Sequence, residues 1–496
     1  MDEVVLGIDL GTSSSKAVLT TPDGVVVARA RRDHRISLPR PGWAEVDAEA
    51  VWWSEVVSLC RELLGPGRAV PASRVAALAV SGVGPCLLLV DGGGRPVRPA
   101  VLYGIDTRAS TQITALTERY GAQALLDRCG KALSSQAVGP KIAWVREEEP
   151  EAYAASARWH GSSSWVVEQL TGEHVQDHPT ASQCDPLYDL PARTWARDWA
   201  EDLAPGLPLP RLAWPAEVVG AVSPAAAAST GLAPGTPVVA GTVDAWAEAH
   251  SAGVRAPGDA MLMYGSTAFV VQVLDRLLTG PDVWATSGTD PGRYTLSGGT
   301  ATAGSLTEWV RTLTGGAPWS ELLAEAGAVP AGAEGLLVLP HFAGERTPLY
   351  DPSARGVIAG LTLRHGRGHL VRAAYEGTAL AVGQVLAAVD AVAGPPERLV
   401  AVGGGTLSPL WLQVVSDVTG RVQHVPRQTV GACYGDALLA ATGAGLVPAG
   451  TDWALPERVV VPDAARHEQY RELARTYAEL QAASRSAVHR LAASTS

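Results

Sequence analysis

Residues 4–33, VVLGIDLGTSSSKAVLTTPDGVVVARARRD, decide the fold, and within them residues 8–16, IDLGTSSSK, carry the first hint of chemistry. Val4 to Ile8 is an apolar strand run, Asp9 to Ser15 is a small polar turn, and Ala17 to Thr20 resumes the strand. Pro22, Asp23 and Gly24 turn the chain again, and Val25 to Ala28 form a third strand. The pattern is a β-meander rather than a strand feeding a helix, which separates this chain from phosphate-binding folds that begin with a strand, a glycine loop and a helix.

Strands are expected at Val75 to Val80 and Cys86 to Val90, and helices at Ala109 to Tyr120, Tyr153 to Ala157 and from Trp165 to Leu170, so the first half mixes α and β. Val218 to Pro237 is rich in Ala, Gly and Pro and reads as a connection between domains. A boundary near residue 240 follows, with domains 1–240 and 241–496. Beyond it the opening pattern returns: strand Val238 to Ala240, a polar turn ending in Asp244, helix Ala245 to Ala252, strand Ala260 to Met263, a Gly265, Ser266, Thr267 turn and strand Phe269 to Val273. Two such units imply paired lobes with a ligand between them. Ala464 to Ala492 has helical spacing and closes the chain on one lobe.

Composition narrows the function classes. The 496 residues are 47% hydrophobic and 18% charged, enough for two or three cored domains. The net charge of −11 opposes nucleic acid and anionic membrane surfaces as partners. Five widely spaced cysteines, Cys60, Cys86, Cys129, Cys184 and Cys433, form no CxxC pair and read as buried hydrophobes of a reducing cytoplasm. The acidic start MDEVVLGIDL is unlike an export signal, and the longest uncharged run, Val218 to Val243, is broken by prolines. A soluble cytoplasmic protein is expected.

Gly11 followed by Thr12, Ser13, Ser14 and Ser15 offers backbone N–H groups and hydroxyls to an anion. Lys16, one of only three lysines, adds a cation, and Asp9 ends an apolar strand where an unpaired charge needs a reason. A plain hairpin with solvated hydroxyls is the alternative. Asp244, between a strand and a helix, is either an N-cap or a general base placed between lobes. His250 is a rival base, but on its helix it reads as a packing or surface residue. Residues 261–270, MLMYGSTAFV, form a second small-residue hairpin, and residues 401–411, AVGGGTLSPLW, put three glycines after a strand, where backbone can approach a ligand. No GxxxxGK[ST], GxGxxG, GxSxG or HExxH occurs, so P-loop, dinucleotide, nucleophile-elbow and zincin chemistries are unsupported.

The order IDLGTSSSK, PGWAEVD (41–47), GTVDAWAEAHSAG (241–253), MYGSTAF (263–269), FAGERTPLYDPSARGVIAGLTLRHGRGHLVRAAYEGTAL (342–380), AVGGGTLSPLWLQVVSDVTG (401–420) and GACYGDALLAATGAG (431–445) resembles the FGGY carbohydrate kinases, of xylulose kinase-like type, along nearly the whole chain. The resemblance implies an α/β protein with two lobes of the actin, hexokinase and 70 kDa chaperone ATPase type, closing on ATP, Mg²⁺ and a sugar, and it suggests a homodimer. On matching positions it implies that Thr12, Ser13, Ser14 and Lys16 handle phosphates and that Asp9 serves the metal. Asp244 is then the base, Gly265, Ser266 and Thr267 meet the β and γ phosphates, and Gly404, Gly405, Thr406 and Ser408 line the nucleotide site. Where xylulose kinases carry MetHisGly, this chain has Gly84, Pro85 and Cys86, and the ArgGlu polyol clamp of glycerol kinases is absent there. Asp106 and Arg108 in LYGIDTRA are candidates for hydroxyl recognition, with Trp43 a wall, although an Asp106–Arg108 salt bridge that only shapes the loop accounts for the same residues. The function expected is ATP-dependent phosphorylation of a primary hydroxyl of a small sugar, a ketopentose such as xylulose. Another polyol or sugar (tetritol, pentitol, hexulose), or a non-catalytic sugar sensor of the same fold, is the alternative.

Overall fold

A computed structural model describes residues 3–64, 70–427 and 430–494. The opening meander is present: Val4–Leu10 pairs antiparallel with Ser14–Thr20, which pairs antiparallel with Val26–Asp33. Val4–Leu10 is buried throughout because its other edge is taken, in parallel, by Val75–Gly82. The outer strand Val26–Asp33 alternates exposed and sheltered positions, as an edge strand with one wet face does.

The second half repeats this plan. Asp259–Tyr264 pairs antiparallel with Ala268–Leu274, which pairs antiparallel with Tyr294–Gly299, while Arg398–Val402 adds in parallel to the free edge of Asp259–Tyr264. The strand-turn-strand duplication seen in the sequence is therefore a duplication of sheet topology, and each sheet has seven strands.

The segment Val218 to Pro237 is not the connection that its composition suggested. It supplies strand Val218–Ala221, antiparallel to Pro237–Val239 at the edge of the first sheet, and helix Pro224–Thr230. The Ser223 side chain caps that helix by accepting from Ala226 N, Pro224 opens it, and Gly231 ends it in the left-handed region. Its Pro, Gly and Ser are start and stop chemistry for short elements, which composition alone does not distinguish from linker. Thr242–Val243 also pairs with Val75–Gly82, so the first sheet extends to the residue before Asp244.

Two helices lie between the sheets. Helix Ala432–Gly443, from near the chain end, covers the first sheet, with Ala437 and Leu438 packed on Val5, Val18, Ala77 and Ala79. A methyl group on Gly7 would lie 1.9 Å from the Cys433 carbonyl oxygen, so the helix sits on the strand at backbone distance. Helix Asp244–Ser251 packs against it through Gly435, where a methyl would lie 2.0 Å from Ala247 O. On its other side Ala249 meets Met261 and Val271 of the second sheet, and Trp246 Nε1 donates to Thr295 Oγ1 at 3.2 Å. The helix that begins at Asp244 therefore touches both halves.

The closing helix runs over Ala464–Ala493, capped by Asp463 and anchored where Tyr470 Oη donates to Glu376 Oε1 at 2.6 Å. Among the described residues one helix, Arg367–Ala393, is long and apolar enough to cross a membrane. It packs here against Pro409–Thr419 and Trp319–Ala328 as a core helix. All five cysteines are buried and free.

Candidate active site

The first hairpin is held from behind. Gly11 N donates to Ser14 O at 3.1 Å, and His34 Nε2 donates to Gly11 O at 3.1 Å while its Nδ1 faces Glu55 at 3.0 Å. The Glu55 hydrogen bond, with that to Gly11 O, raises the proton affinity of His34 above its ordinary value. Thr12 and Ser13 stay accessible at the tip, and Thr12 Oγ1 lies 3.5 Å from the Tyr103 hydroxyl. Asp9 and Lys16 are direct cross-strand partners, so both side chains leave the same face of the sheet, toward the two inter-sheet helices. Ser81, in register with Asp9 on the neighbouring strand, shares that face.

Asp9 is 5% exposed, and its Oδ1 has no hydrogen-bond partner among the described residues. Burial raises its carboxyl to about 6, opposed by Lys16. Asp244 follows an extended Val243 and is the first residue of its helix, with Oδ1 accepting from Ala245 N at 2.7 Å. It therefore lies at the helix N-terminus without capping the next turn. Burial first, then the charge of Asp9, raises Asp244 to about 8, and burial with Asp9 raises Glu248 to about 7. Asp436 completes the group from helix Ala432–Gly443. It accepts from Ser81 Oγ at 2.6 Å, is fully buried, and is held well above the carboxylate range by that burial. His250, by contrast, is buried with neither ring nitrogen hydrogen bonded, and burial lowers it to about 3, so it is a packing residue.

The structure thus gathers Asp9, Lys16 and Asp244 as the sequence proposed and adds Glu248 and Asp436. Both were legible in retrospect: Glu248 is four residues after Asp244 and shares its helix face, and Asp436 lies in the quoted 431–445 stretch. Among the described residues no group of three His, Cys, Asp or Glu side chains forms a ready metal cage.

The second hairpin and the three-glycine turn also adjoin one another. Gly265 N donates to Thr267 O, and the carbonyls of Gly265 and Ser266 accept from Gly304 and Ala303 N, which ties the turn to the start of helix Gly304–Leu313. A methyl on Gly403, at φ +91°, would lie 2.7 Å from Tyr264 O, whereas Gly404 faces open space. Thr406 and Ser408 are buried, and their hydroxyls are engaged locally: Thr406 Oγ1 donates to Gly403 O, and Ser408 Oγ caps helix Pro409–Thr419 by accepting from Trp411 N. These two shape the turn and leave Gly404 as its open face, while Gly405 is packed on Trp411, where a methyl would lie 2.5 Å from the ring.

On the remaining wall the proposed hydroxyl readers are placed as scaffold, which corrects the sequence expectation. The side chains of Asp106 and Arg108 are both 0% exposed. Arg108 Nη1 donates to Glu45 at 2.7 Å, its Nε and Nη2 donate to Asp106, and Asp106 also accepts from Ala44 N. Trp43 packs its ring against the Arg108 guanidinium at 3.9 Å and sets its edge on Trp144. With donors and ring faces so engaged, the trio holds the loop rather than a sugar. The loop instead presents Tyr103, whose hydroxyl feels the charges of Asp244 and Arg346. Cys86, with its thiol on Val83 O, is buried behind it.

Residues 4–249 match the pattern of the FGGY family of carbohydrate kinases, N-terminal domain, and residues 260–444 match that family's C-terminal domain. The chain belongs to the FGGY family of carbohydrate kinases. A xylulose kinase of Escherichia coli is 30% identical over 96% of this chain and 98% of its own, and a glycerol kinase of Nocardia farcinica is 30% identical over 92% and 93%. The crystal structure of xylulose kinase from Rhodospirillum rubrum superposes with a TM-score of 0.88 at 33% identity, covering 98% of this chain and 100% of that one. Membership makes this FGGY kinase an ATP-dependent phosphotransferase acting on an alcohol group of a carbohydrate, with the two-domain actin and hexokinase type of fold. Relatives of different substrate at equal identity leave the FGGY kinase's own sugar to be argued from the site.

Proposed function

We propose that this kinase transfers the γ-phosphoryl group of ATP to a primary hydroxyl of a small neutral sugar, a ketopentose such as xylulose, with Asp244 as the base. The observation that carries this reading is the convergence of Asp9, Lys16 and Asp244 at the helix that touches both sheets. Phosphoryl transfer asks the protein for positioning and charge rather than covalent chemistry. Lys16, the N–H groups and hydroxyls of Thr12, Ser13 and Ser14, and the second hairpin at Gly265, Ser266 and Thr267 supply donors to the phosphates. The open face of Gly404 admits the nucleotide, with Gly405 packed at backbone distance on Trp411. Asp244 accepts the proton of the attacking hydroxyl, and its raised proton affinity suits a base working near neutral pH.

A divalent cation such as Mg²⁺ fits the residues present. Asp9 offers a buried carboxylate oxygen with no protein partner, and the absence of a full cage among the described residues suits an ion that keeps water and phosphate oxygens as ligands. Such an ion supplies charge neutralisation at the phosphate oxygens. Asp9 would hold it, and Lys16 balances the remaining carboxylates.

Gly84, Pro85 and Cys86 replace the sugar-side element of both xylulose and glycerol kinases, and the ketopentose is favoured because relatives covered over 96% and 98% of this chain are xylulose kinases. The test is ADP release with pentuloses, pentitols, tetritols, hexuloses and glycerol, with Asp244→Asn alongside. A response to D-xylulose that the variant lacks supports the reading, and a response to glycerol alone overturns the substrate.

A further inference from the structure

Arg346 stands apart from the other cationic groups near the cleft. Its neighbour Glu345 is 6% exposed and committed: Oε1 accepts from Ala301 N and Arg346 N at 2.8 Å, and Oε2 accepts from His341 Nδ1 at 2.9 Å. His341 Nε2 in turn accepts from Gln481 Nε2 of the closing helix at 3.0 Å. The backbone is fixed on both sides, with Glu345 and Asp351 exchanging N–H···O bonds at 2.9 Å and Thr347 N donating to Gly299 O. The loop is thus braced from the second half of the molecule.

From this brace the Arg346 side chain crosses to the first half. A methyl on Gly104 would lie 3.5 Å from Arg346 Nη2 and 3.5 Å from Gln136 Cγ, and Gly104 itself is held by Ser135 Oγ donating to its carbonyl at 2.9 Å. The hydroxyl of Tyr103, the residue before, feels the charges of both Asp244 and Arg346. Among the described residues the Arg346 guanidinium has no carboxylate partner, while Arg98, Arg108 and Arg128 are each bound to two carboxylates. A guanidinium held against a cleft wall without a carboxylate partner has its donors available to a ligand.

We infer that Arg346 is a specificity-determining residue that donates hydrogen bonds to sugar oxygens remote from the transferred hydroxyl, with Gln136 beside it; this rests on the kinase reading above. The two ends of the site are complementary. Asp244 in its ionised form only accepts and so takes the hydroxyl that must lose its proton, whereas Arg346 only donates and so selects a hydroxyl or carbonyl oxygen that can accept.

The experiment uses the full-length enzyme with D-xylulose, gluconate and glycerol as probes, in wild type, Arg346→Lys and Arg346→Gln, with ADP affinity measured by calorimetry in each. For the sugar that wild type turns over, Arg346→Gln is expected to lower kcat/KM ten- to hundredfold, chiefly by raising the sugar KM, with ADP affinity within twofold. Arg346→Lys keeps the charge without the fork and is expected to fall between. A sugar KM within twofold of wild type in Arg346→Gln overturns the inference while leaving the kinase reading intact. So does a fall in ADP affinity as large as the rise in sugar KM. If gluconate is the preferred substrate, the neutral-sugar assignment is overturned, and if no probe is turned over by wild type, the substrate reading falls and this inference falls with it.

Discussion

Replacing Asp244 by Asn removes one negative charge from the cleft while keeping an oxygen to accept from Ala245 N. Two consequences of opposite sign follow. Without the base, turnover falls by about 10²–10⁴-fold, or about 3–5.5 kcal/mol in the barrier. Stability moves the other way. Burial and Asp9 raise the folded carboxyl from 3.8 to about 8, so between those values the folded chain keeps a proton that the unfolded chain has released. Stability contributed by this group is therefore lost as pH rises through that window, and above about 8 the whole penalty is present. A rise of that size converts to about 5–6 kcal/mol in a dry interior. Asp244 is half-buried and faces water, which reduces the penalty to about 1–3 kcal/mol. The Asn side chain carries no such penalty. Without nucleotide, the variant should melt a few degrees above wild type at pH 8.5 and close to it at pH 4.5, as read by circular dichroism, while coupled ADP release reports the loss of turnover. Turnover within tenfold of wild type refutes the base assignment, and a melting difference that is the same at both pH values refutes the electrostatic account.

Three further outcomes are expected. Lys16→Ala should weaken ADP binding about tenfold, about 1.4 kcal/mol, by calorimetry, and unchanged affinity would count against phosphate contact at the first hairpin. Arg108→Ala leaves Asp106 and Glu45 as buried carboxylates without that partner, so it should cost about 3–5 kcal/mol of stability in urea unfolding; unchanged stability with a raised sugar KM would restore Arg108 to the sugar site. Gly435→Ala puts a methyl 2.0 Å from Ala247 O and should push the Asp244 helix off its neighbour, lowering both the melting point and kcat. Full activity in that variant would show that the helix contact does not position the base.

The sheet plan was legible because it is written locally. Strand, polar turn and strand with alternating burial specify a meander, and the same code at Asp259–Tyr264 and Ala268–Leu274 specifies its duplicate. Position in the cleft was legible where a charge interrupts an apolar strand, as at Asp9, or ends one, as at Asp244. What could not be read locally was contributed from a distance. Asp436 reaches the site because Gly7 lets a helix from 425 residues later lie on the first strand, and nothing in GACYGDALL says which sheet it will cover. The segment Val218 to Pro237 failed for a related reason, since a short capped helix and a linker draw on the same Ser, Pro, Ala and Gly.

Arg108 and Arg346 show what separates a scaffold cation from a ligand group. In the sequence each stands beside a carboxylate, Asp106 two residues before one and Glu345 next to the other. Asp106 accepts from the backbone amides of Ala44 and Arg108 but meets no histidine, and its remaining lone pairs turn to the Arg108 guanidinium, which Glu45 then seals from the other side. Glu345 is taken by two backbone amides and a histidine before its neighbouring guanidinium can reach it. The difference lies not in the arginines but in what else competes for the adjacent carboxylate. A cation whose local anion is already committed remains unneutralised, and its donors are left for the sugar oxygens that we propose it meets.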